Sequence, residues 1–170
     1  KISMPFVLGN QLKSLGYKTL AYHNNTYTYY RRDVSYPNMG YAYKGLGNGL
    51  EVEKTWPESD LEMMEKTIPE YIAKEPFHIY YMTVSGHMRY SFAGNAMALK
   101  NKKYVRDLPY SEPCKAYIAC QIELDRAVEY LLNKLEEAGI ADRTLIALSS
   151  DHYPYGLEIN ELEELAGHPI

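Results

Sequence analysis

Asp151 and His152 are adjacent and follow an apolar run, residues 144–150, that is typical of a buried strand. A carboxylate oxygen and an imidazole nitrogen are ligands that suit a hard or borderline divalent cation. In open α/β sheets, ligands bind at the edge formed by the carboxyl ends of the strands. An Asp-His pair after a strand is also common as a turn with a surface histidine. The pair alone therefore leaves both interpretations open.

Two further predicted strands end in groups that could do chemistry. His23 follows the first strand, with Arg31-Arg-Asp33 a little further on, and His87 follows the second. Because the carboxyl ends of parallel strands lie on one edge, we expect these groups to converge. Metal ligands, an imidazole and a guanidinium together suit phosphoryl or sulfuryl transfer, in which a metal stabilises oxyanions and an arginine binds equatorial oxygens.

Each of these groups also has a plainer interpretation. His23 could be a capping or packing residue, and Arg31 and Arg32 could be solvated charges. His87 on its spacing alone is as easily structural as functional.

The elements that must position these groups follow from apolar periodicity and from helix and strand breakers. They are helices at 5–15, 60–74 and 116–138, strands at 17–22, 77–84 and 144–150, a tyrosine-rich loop at 23–43, a glycine-rich turn at 45–49 and a long loop at 88–112. The run 77–84 is typical of a strand covered on both faces. Alternating helices and strands predict an α/β fold with a mainly parallel sheet flanked by helices.

Composition excludes several classes of protein. The 170 residues carry a net charge of -4 without a basic patch, so no nucleic-acid partner is expected. No apolar run approaches the roughly 18 residues of a membrane span, and we expect no signal peptide in this stretch because Lys1-Ile-Ser-Met-Pro5 lacks an apolar core. The 18 tyrosines could line a groove for a glycan or polyol phosphate, or occupy half-buried positions in a sheet-rich fold.

The two cysteines, Cys114 and Cys120, are too few for a disulfide scaffold. On one helix their Cα atoms would lie roughly 9 Å apart, too far to bridge. Cys114 follows Pro113 and could precede the helix, in which case a disulfide remains open.

An ordered set of segments resembles the lipoteichoic acid synthase family, which belongs to the alkaline phosphatase and sulfatase superfamily. The segments are Tyr22-His-Asn-Asn25, Tyr29-Tyr-Arg-Arg-Asp33, Tyr81-Met-Thr-Val-Ser-Gly-His87, the helix that contains Leu124-Asp125-Arg-Ala-Val128, and Asp142-x-Thr144 with Ser149-Ser-Asp-His-Tyr153. The similarity extends from about residue 3 to residue 160, and its order is more specific than any single motif. It implies an alkaline phosphatase/sulfatase-like fold that is incomplete in this chain.

The resemblance implies an extracellular enzyme with a threonine nucleophile and one Mn²⁺, or another divalent cation. Such an enzyme moves glycerol phosphate from phosphatidylglycerol through a covalent phospho-threonine. Carried over by position, the metal ligands are Asp151 and His152, His87 contacts a phosphate oxygen or the leaving group, and Arg32 binds the substrate phosphate. Tyr30 lies where the synthases have tryptophan. Asn25 lies where they have aspartate, which weakens the inference of a polyol contact.

We therefore expect residues 1–170 to be the central and C-terminal part of one sulfatase-like catalytic domain. In the family the nucleophile and the first metal-binding glutamate precede this stretch, and nothing before His23 can supply them. The expected partners are a phospholipid donor and a polyol-phosphate or glycan acceptor. The expected location is the extracellular face of a bacterial cell membrane, with anchoring by N-terminal helices outside this stretch, and the stretch alone is expected to be inactive.

Two other functions remain open. One is a sulfatase or phosphoethanolamine transferase of the same superfamily, which the residue type of the nucleophile would distinguish. The other is a non-catalytic domain that binds wall polymers through a tyrosine-lined groove, and it requires no metal.

Overall fold

The computed structural model describes residues 4–170 as a four-stranded parallel sheet flanked by helices, with strand order β3-β2-β1-β4. The elements are α1 (Leu8–Ser14), β1 (Lys18–Thr26), α2 (Arg32–Asn38), β2 (Ala42–Leu46), β3 (Gly49–Leu50), α3 (Asp60–Thr67), β4 (Phe77–Met82), α4 (Ala96–Val105), α5 (Glu112–Glu137) and α6 (Ile159–Ala166). Short 3₁₀ turns lie at Tyr29–Arg31, Ile68–Glu70 and Ala141–Arg143. The predicted α/β class with a parallel sheet is confirmed.

Strand β1 lies in the interior of this sheet, and buried side chains pack against both of its faces. Leu20 and Tyr22 face α3 and α5, whereas Ala21 faces the opposite side. On that opposite side Tyr36, Tyr41 and Tyr43 are buried. These three tyrosines are fully buried rather than half-buried as expected, and only Tyr43 lies on a strand.

Helix α5 is the element that the sequence predicted best. It begins at Glu112 and ends before Gly139, whose φ of 67° is the left-handed conformation of a helix terminator. Cys114 and Cys120 both lie within α5 as free, buried thiols. The alternative in which Cys114 precedes the helix and forms a disulfide is therefore wrong.

Both predicted loops contain regular structure. The predicted loop 23–43 is wrong because β1 continues to Thr26 and is followed by α2 and the start of β2. The predicted loop 88–112 is wrong because it contains α4, which Asn95 caps by accepting a hydrogen bond from the Ala98 N–H at 2.8 Å. The helical pattern of α4 is weak in the sequence because a polar residue, Asn101, is fully buried beside Glu123.

Two predicted helices are shorter than expected. Ser59 caps α3, but α3 ends at Thr67 and continues as a 3₁₀ turn, since Pro69 lacks the N–H that the next α-helical hydrogen bond would need. In the predicted helix 5–15 the apolar residues Phe6 and Leu15 do not pack, since they are 89% and 71% exposed. α1 packs instead through Gly9, where a Cβ atom would lie 2.7 Å from the Tyr41 ring.

The predicted strand 144–150 is not a strand. It has no ladder partner among residues 4–170, and Leu145 is 94% exposed. β4 is likewise only half-buried and forms the edge of the four-stranded sheet, so its predicted coverage on both faces is wrong. An apolar run predicts that a segment requires burial, but a strand also requires a neighbour to satisfy its N–H and C=O groups.

No helix within residues 4–170 is long and apolar enough to cross a membrane.

Candidate active site

His23 occupies the carboxyl end of β1 and is almost completely buried, with 3% of its surface exposed. Its Nδ1–H donates to the Met82 carbonyl of β4 at 2.8 Å, so Nε2 carries the free lone pair. Nε2 is buried and has no hydrogen-bond partner among the described residues. Burial lowers the pKa of His23 to about 4, and the charge of Arg32 also lowers it. The site therefore contains a neutral imidazole with an unused acceptor.

Arg32 begins α2 directly after two residues in left-handed conformation, Tyr30 (φ 51°) and Arg31 (φ 54°). Such conformations cost of order 1–3 kcal/mol for residues other than glycine and cluster at functional sites. The Arg32 side chain donates to the Tyr29 carbonyl and the Tyr36 hydroxyl, both at 3.3 Å. Its guanidinium carbon lies 5.6 Å from the Tyr29 ring centre and 5.4 Å from that of Tyr30.

No carboxylate forms an ion pair with Arg32 in the part of the chain that the structure describes, because Asp33 pairs with Arg31 instead. The guanidinium is held by aromatic rings and neutral oxygens, and its positive charge remains available. Such a group is suited to bind a phosphate or sulfate.

His87 lies in the tight turn after β4, where its N–H donates to the Val84 carbonyl at 2.9 Å. Its Nδ1–H donates to the Met88 carbonyl at 2.8 Å, which leaves Nε2 as an acceptor. The Trp56 ring stands edge-on to the imidazole, with the ring centres 5.0 Å apart. His87 is half-buried, so its ring can reach a substrate and remain partly fixed by its neighbours.

Asp151 and His152 are exposed and close together, with Asp151 Oδ1 3.6 Å from His152 Nε2. His152 Nδ1–H donates to the Tyr153 carbonyl at 2.7 Å, which leaves Nε2 as an acceptor. Two ligands that bind one cation at about 2.0–2.2 Å lie roughly 3.0–3.6 Å apart, so this pair fits two positions of one ion. Within residues 4–170, no third His, Cys, Asp or Glu side chain completes a metal-binding group.

The segment that carries the Asp-His pair packs over the loop after His87. A Cβ atom on Gly156 would lie 2.9 Å from Met88 Cβ and 3.0 Å from the Tyr90 ring, so the backbones approach closely. Leu157 is buried in the same cluster as Tyr90. Burial raises the pKa of Tyr90, and the charge of Asp151 adds to this effect. The segment that follows Asp151 therefore packs against the loop that contains His87.

Tyr155 packs against the Asp-His pair in the same segment. Its ring centre lies 4.5 Å from that of His152. Burial raises the pKa of Tyr29, and the adjacent Tyr30 adds to this effect. The Tyr29 ring lies 6.3 Å from His23. The structure thus places His23 and Arg32 around the Tyr29 ring, and the segment with the Asp-His pair over the loop that contains His87.

The two remaining predicted residues occupy different surroundings. Tyr30 is 78% exposed and packs edge-on against Tyr29, with ring centres 4.6 Å apart. Asn25 Oδ1 accepts a hydrogen bond from the Thr26 N–H at 2.6 Å, so this oxygen is used within the strand end.

Sequence reasoning gave too little weight to His23 and did not identify Trp56 or Tyr155. The sequence held one usable signal for His23, since it lies directly after a predicted strand and within the Tyr22-His-Asn-Asn25 segment of the resemblance. Trp56 and Tyr155 come from irregular segments, whose positions depend on tertiary packing. No periodicity could have placed them beside His87 and His152.

A parallel α/β sheet with an imidazole, a guanidinium and an Asp-His pair near its strand ends defines a class of domain suited to phosphoryl or sulfuryl transfer. The chain belongs to the sulfatase family, whose family model matches residues 3–168.

Among curated proteins, the chain is similar to lipoteichoic acid synthase of Staphylococcus saprophyticus, with 24% identity over 99% of the chain and 26% of that protein. It is also similar to lipoteichoic acid synthase 2 of Bacillus subtilis, with 24% identity over 91% of the chain and 24% of that protein. The chain therefore spans about a quarter of the length of these relatives. The predicted resemblance to lipoteichoic acid synthases is confirmed.

A solved structure shares the fold. The crystal structure of the lipoteichoic acid synthase LtaP from Listeria monocytogenes aligns with a TM-score of 0.58 and 21% identity, over 78% of this chain and 33% of that one. The alkaline phosphatase/sulfatase-like fold predicted from the sequence is confirmed.

Proposed function

We propose that this chain is part of an extracellular, metal-dependent phosphoglycerol transferase that makes or modifies a cell-envelope polymer. The observation that supports the proposal is that Arg32 and His23 both lie near the Tyr29 ring. Arg32 has no acidic partner among the described residues, and the neutral Nε2 of His23 has no hydrogen-bond partner there. A cation beside a neutral acceptor suits a ligand that has both a phosphate and a hydroxyl group. Glycerol phosphate is such a ligand, and the similar proteins are named lipoteichoic acid synthases.

The side chains divide the work by their chemistry. Arg32 binds the equatorial oxygens of the phosphate through its planar guanidinium. His23 Nε2 accepts a hydrogen bond from a hydroxyl of the transferred group, since its low pKa keeps it neutral. His87 Nε2 faces the oxygen that enters or leaves at phosphorus and exchanges a proton with it. Exposed Tyr30 covers the polyol, and Asn25 contacts it through the amide group.

Asp151 and His152 provide two ligands for Mn²⁺ or another divalent cation. When bound, this ion stabilises negative charge on the phosphoryl oxygens. Its remaining ligands and the nucleophile come from parts of the protein outside this stretch, in keeping with a chain that spans about a quarter of its relatives.

The proposed donor is a phospholipid, and the proposed acceptor is a polyol phosphate or a glycan. The protein would act at the outer face of a bacterial membrane, anchored by segments that precede this stretch. Both proposals rest on the lipoteichoic acid synthases to which the chain is similar.

The experiment is a turnover assay of the intact protein on vesicles that contain fluorescent phosphatidylglycerol, with Mn²⁺. Release of fluorescent diacylglycerol, lost in Arg32→Ala, is the expected result. The matched control is Arg106→Ala, which removes a remote arginine paired with exposed Asp107. Hydrolysis of an aryl sulfate without diacylglycerol release would favour the sulfatase alternative. Polymer binding without turnover of either substrate would favour the binding domain.

A further inference from the structure

Asp60 is a completely buried acid whose carboxylate connects the ends of two strands. It is the first residue of α3 and has 0% exposure. Its Oδ1 accepts hydrogen bonds from Asn24 Nδ2 at 2.7 Å and from the Val84 N–H at 2.9 Å. Its Oδ2 accepts from the Ser85 N–H at 3.2 Å and from the Ser85 hydroxyl.

The four donors belong to the segments that carry the two histidines of the candidate site. Asn24 directly follows His23 on β1 and points to the opposite face of the sheet, where α3 lies. Val84 and Ser85 form the first half of the turn that the His87 N–H closes onto the Val84 carbonyl. Asp60 therefore holds both strand ends from behind the sheet without contacting the site itself.

The hydrogen bonds of Asp60 serve these strand ends rather than its own helix. Ser59 caps α3 by accepting from the Glu62 N–H at 3.0 Å, and none of the four donors to Asp60 comes from α3. A helix cap alone would not explain a buried carboxylate at this position.

We propose that Asp60 is a positioning residue that sets the relative placement of His23 and His87 by binding Asn24, Val84 and Ser85 together. The catalytic meaning of this inference rests on the proposed function, but the placement itself does not.

The hydrogen bonds made at position 60 require a carboxylate. Four donors converge on two oxygens, and an ionised carboxylate has only acceptors to offer. In Asp60→Asn an NH₂ group replaces one of the two carboxylate oxygens. In place of Oδ2 it faces the Ser85 N–H, and in place of Oδ1 it faces the Val84 N–H and the Asn24 NH₂. A backbone donor is then left unpaired in the interior, which is costly.

The first test is nuclear magnetic resonance of the 170-residue chain, comparing Asp60→Asn with Glu123→Gln. Glu123 is an equally buried acid on α5 that binds Ser59, Lys100 and Asn101, away from the two strand ends. We expect Asp60→Asn to speed amide exchange at Val84 and Ser85 about tenfold or more and to shift the His87 imidazole resonances. Glu123→Gln should change neither. Unchanged Val84, Ser85 and His87 signals in Asp60→Asn would overturn the inference.

Ser85→Ala keeps the inference testable if Asp60→Asn does not fold. It removes one of the four donors and keeps both backbone bonds, so a smaller shift of the His87 resonances is expected. A folded Ser85→Ala variant with unmoved His87 signals would also overturn the inference.

The second test is turnover of the intact protein. Since a displacement of about 1 Å can cost about 100-fold in rate, we expect Asp60→Asn to lower kcat by about 10- to 100-fold and to leave KM within about threefold. Turnover in the wild type with an unchanged kcat in Asp60→Asn would count against the positioning role. If the wild type turns over no phosphoglycerol donor and the resonance shifts still occur, the proposed function fails and the placement by Asp60 stands.

Discussion

At the scale of single residues, the site depends on polar and charged side chains that lack their usual partners. His23 is buried and neutral, with Nε2 free, and Arg32 is bound by rings and neutral oxygens instead of an acid. Natural proteins keep such arrangements at functional sites although they reduce stability. The stability cost of His23 can be measured separately from any activity.

Burial of His23 should make the folded chain less stable as the pH falls. The folded-state pKa of about 4 lies below the unfolded value of 6.5, so the unfolded state binds more protons between these values and stability is lost as the pH falls from 6.5 towards 4. We expect the wild type to lose about 2 kcal/mol between pH 7 and pH 5 relative to His23→Gln. Urea unfolding of both proteins at the two pH values measures this difference.

The comparison with His23→Gln removes the effect of other buried groups. Burial raises the pKa of Glu58 and of Asp60, and these acids shift stability in the opposite direction, but they do so in both proteins. Parallel pH profiles for the two proteins would show that His23 is not a buried neutral imidazole.

Arg32 should be sensitive to the shape of its cation. An ammonium keeps the positive charge but cannot reproduce the planar, two-pronged contact with a phosphate or the stacking on Tyr29 and Tyr30. We therefore expect Arg32→Lys in the intact protein to lower kcat/KM almost as much as Arg32→Ala, by about 100-fold. Steady-state kinetics of the two variants measures it, and near-normal activity of Arg32→Lys would mean that only charge matters.

At the scale of elements, the site depends on where β1 and β4 end. The sequence predicted the central strand, the start of α3 and most of α5, although the predicted helix 116–138 begins four residues after Glu112. These features follow from local signals such as Ser59, Gly139 and the apolar stripe of α5. The candidate residues His87, Arg32, Asp151 and His152 were identified from strand ends together with the family resemblance.

The elements that were missed depend on tertiary contacts. α4 buries the polar residue Asn101 against Glu123, so the buried side of α4 does not form a continuous apolar pattern in the sequence. The segment 144–150 has the composition of a buried strand, but no ladder partner accompanies it within the described residues. Sequence periodicity reports which side chains favour burial, whereas the neighbour that provides the burial lies elsewhere in the fold.

Exposure of the segment 144–150 gives a prediction for this chain. Leu145 is 94% exposed, whereas Leu135 of α5 is 1% exposed. We expect Leu145→Ala to change the free energy of unfolding by less than about 0.5 kcal/mol and Leu135→Ala to lower it by about 2–5 kcal/mol. Urea denaturation of the two variants gives both values. A loss above 2 kcal/mol for Leu145→Ala would mean that this segment packs as a strand in solution.

At the scale of the whole molecule, the chain is a sulfatase-family domain that spans about a quarter of the lipoteichoic acid synthases it resembles. Two protein ligands are fewer than the three or more that metal sites normally use. We expect titration calorimetry of the 170-residue chain with Mn²⁺ to show no sub-micromolar site that involves Asp151 and His152. Tight one-to-one binding that either substitution abolishes would show that the chain holds a complete site.

The same reasoning predicts that the 170-residue chain does not turn over a chromogenic phosphodiester in the presence of Mn²⁺. Turnover that depends on the metal and disappears in Asp151→Ala would contradict this expectation, because the activity would then come from residues of this chain.

The division of labour between metal ligands and phosphate-binding groups is the central claim, and one measurement on the intact protein tests it most directly. Metal content and single-turnover rate are determined together for Asp151→Ala and His87→Ala. We expect Asp151→Ala to lose metal and activity together. His87→Ala should keep near-normal metal content and lose about 100-fold or more in rate. Loss of the metal in His87→Ala, or full activity in both variants, would contradict the account.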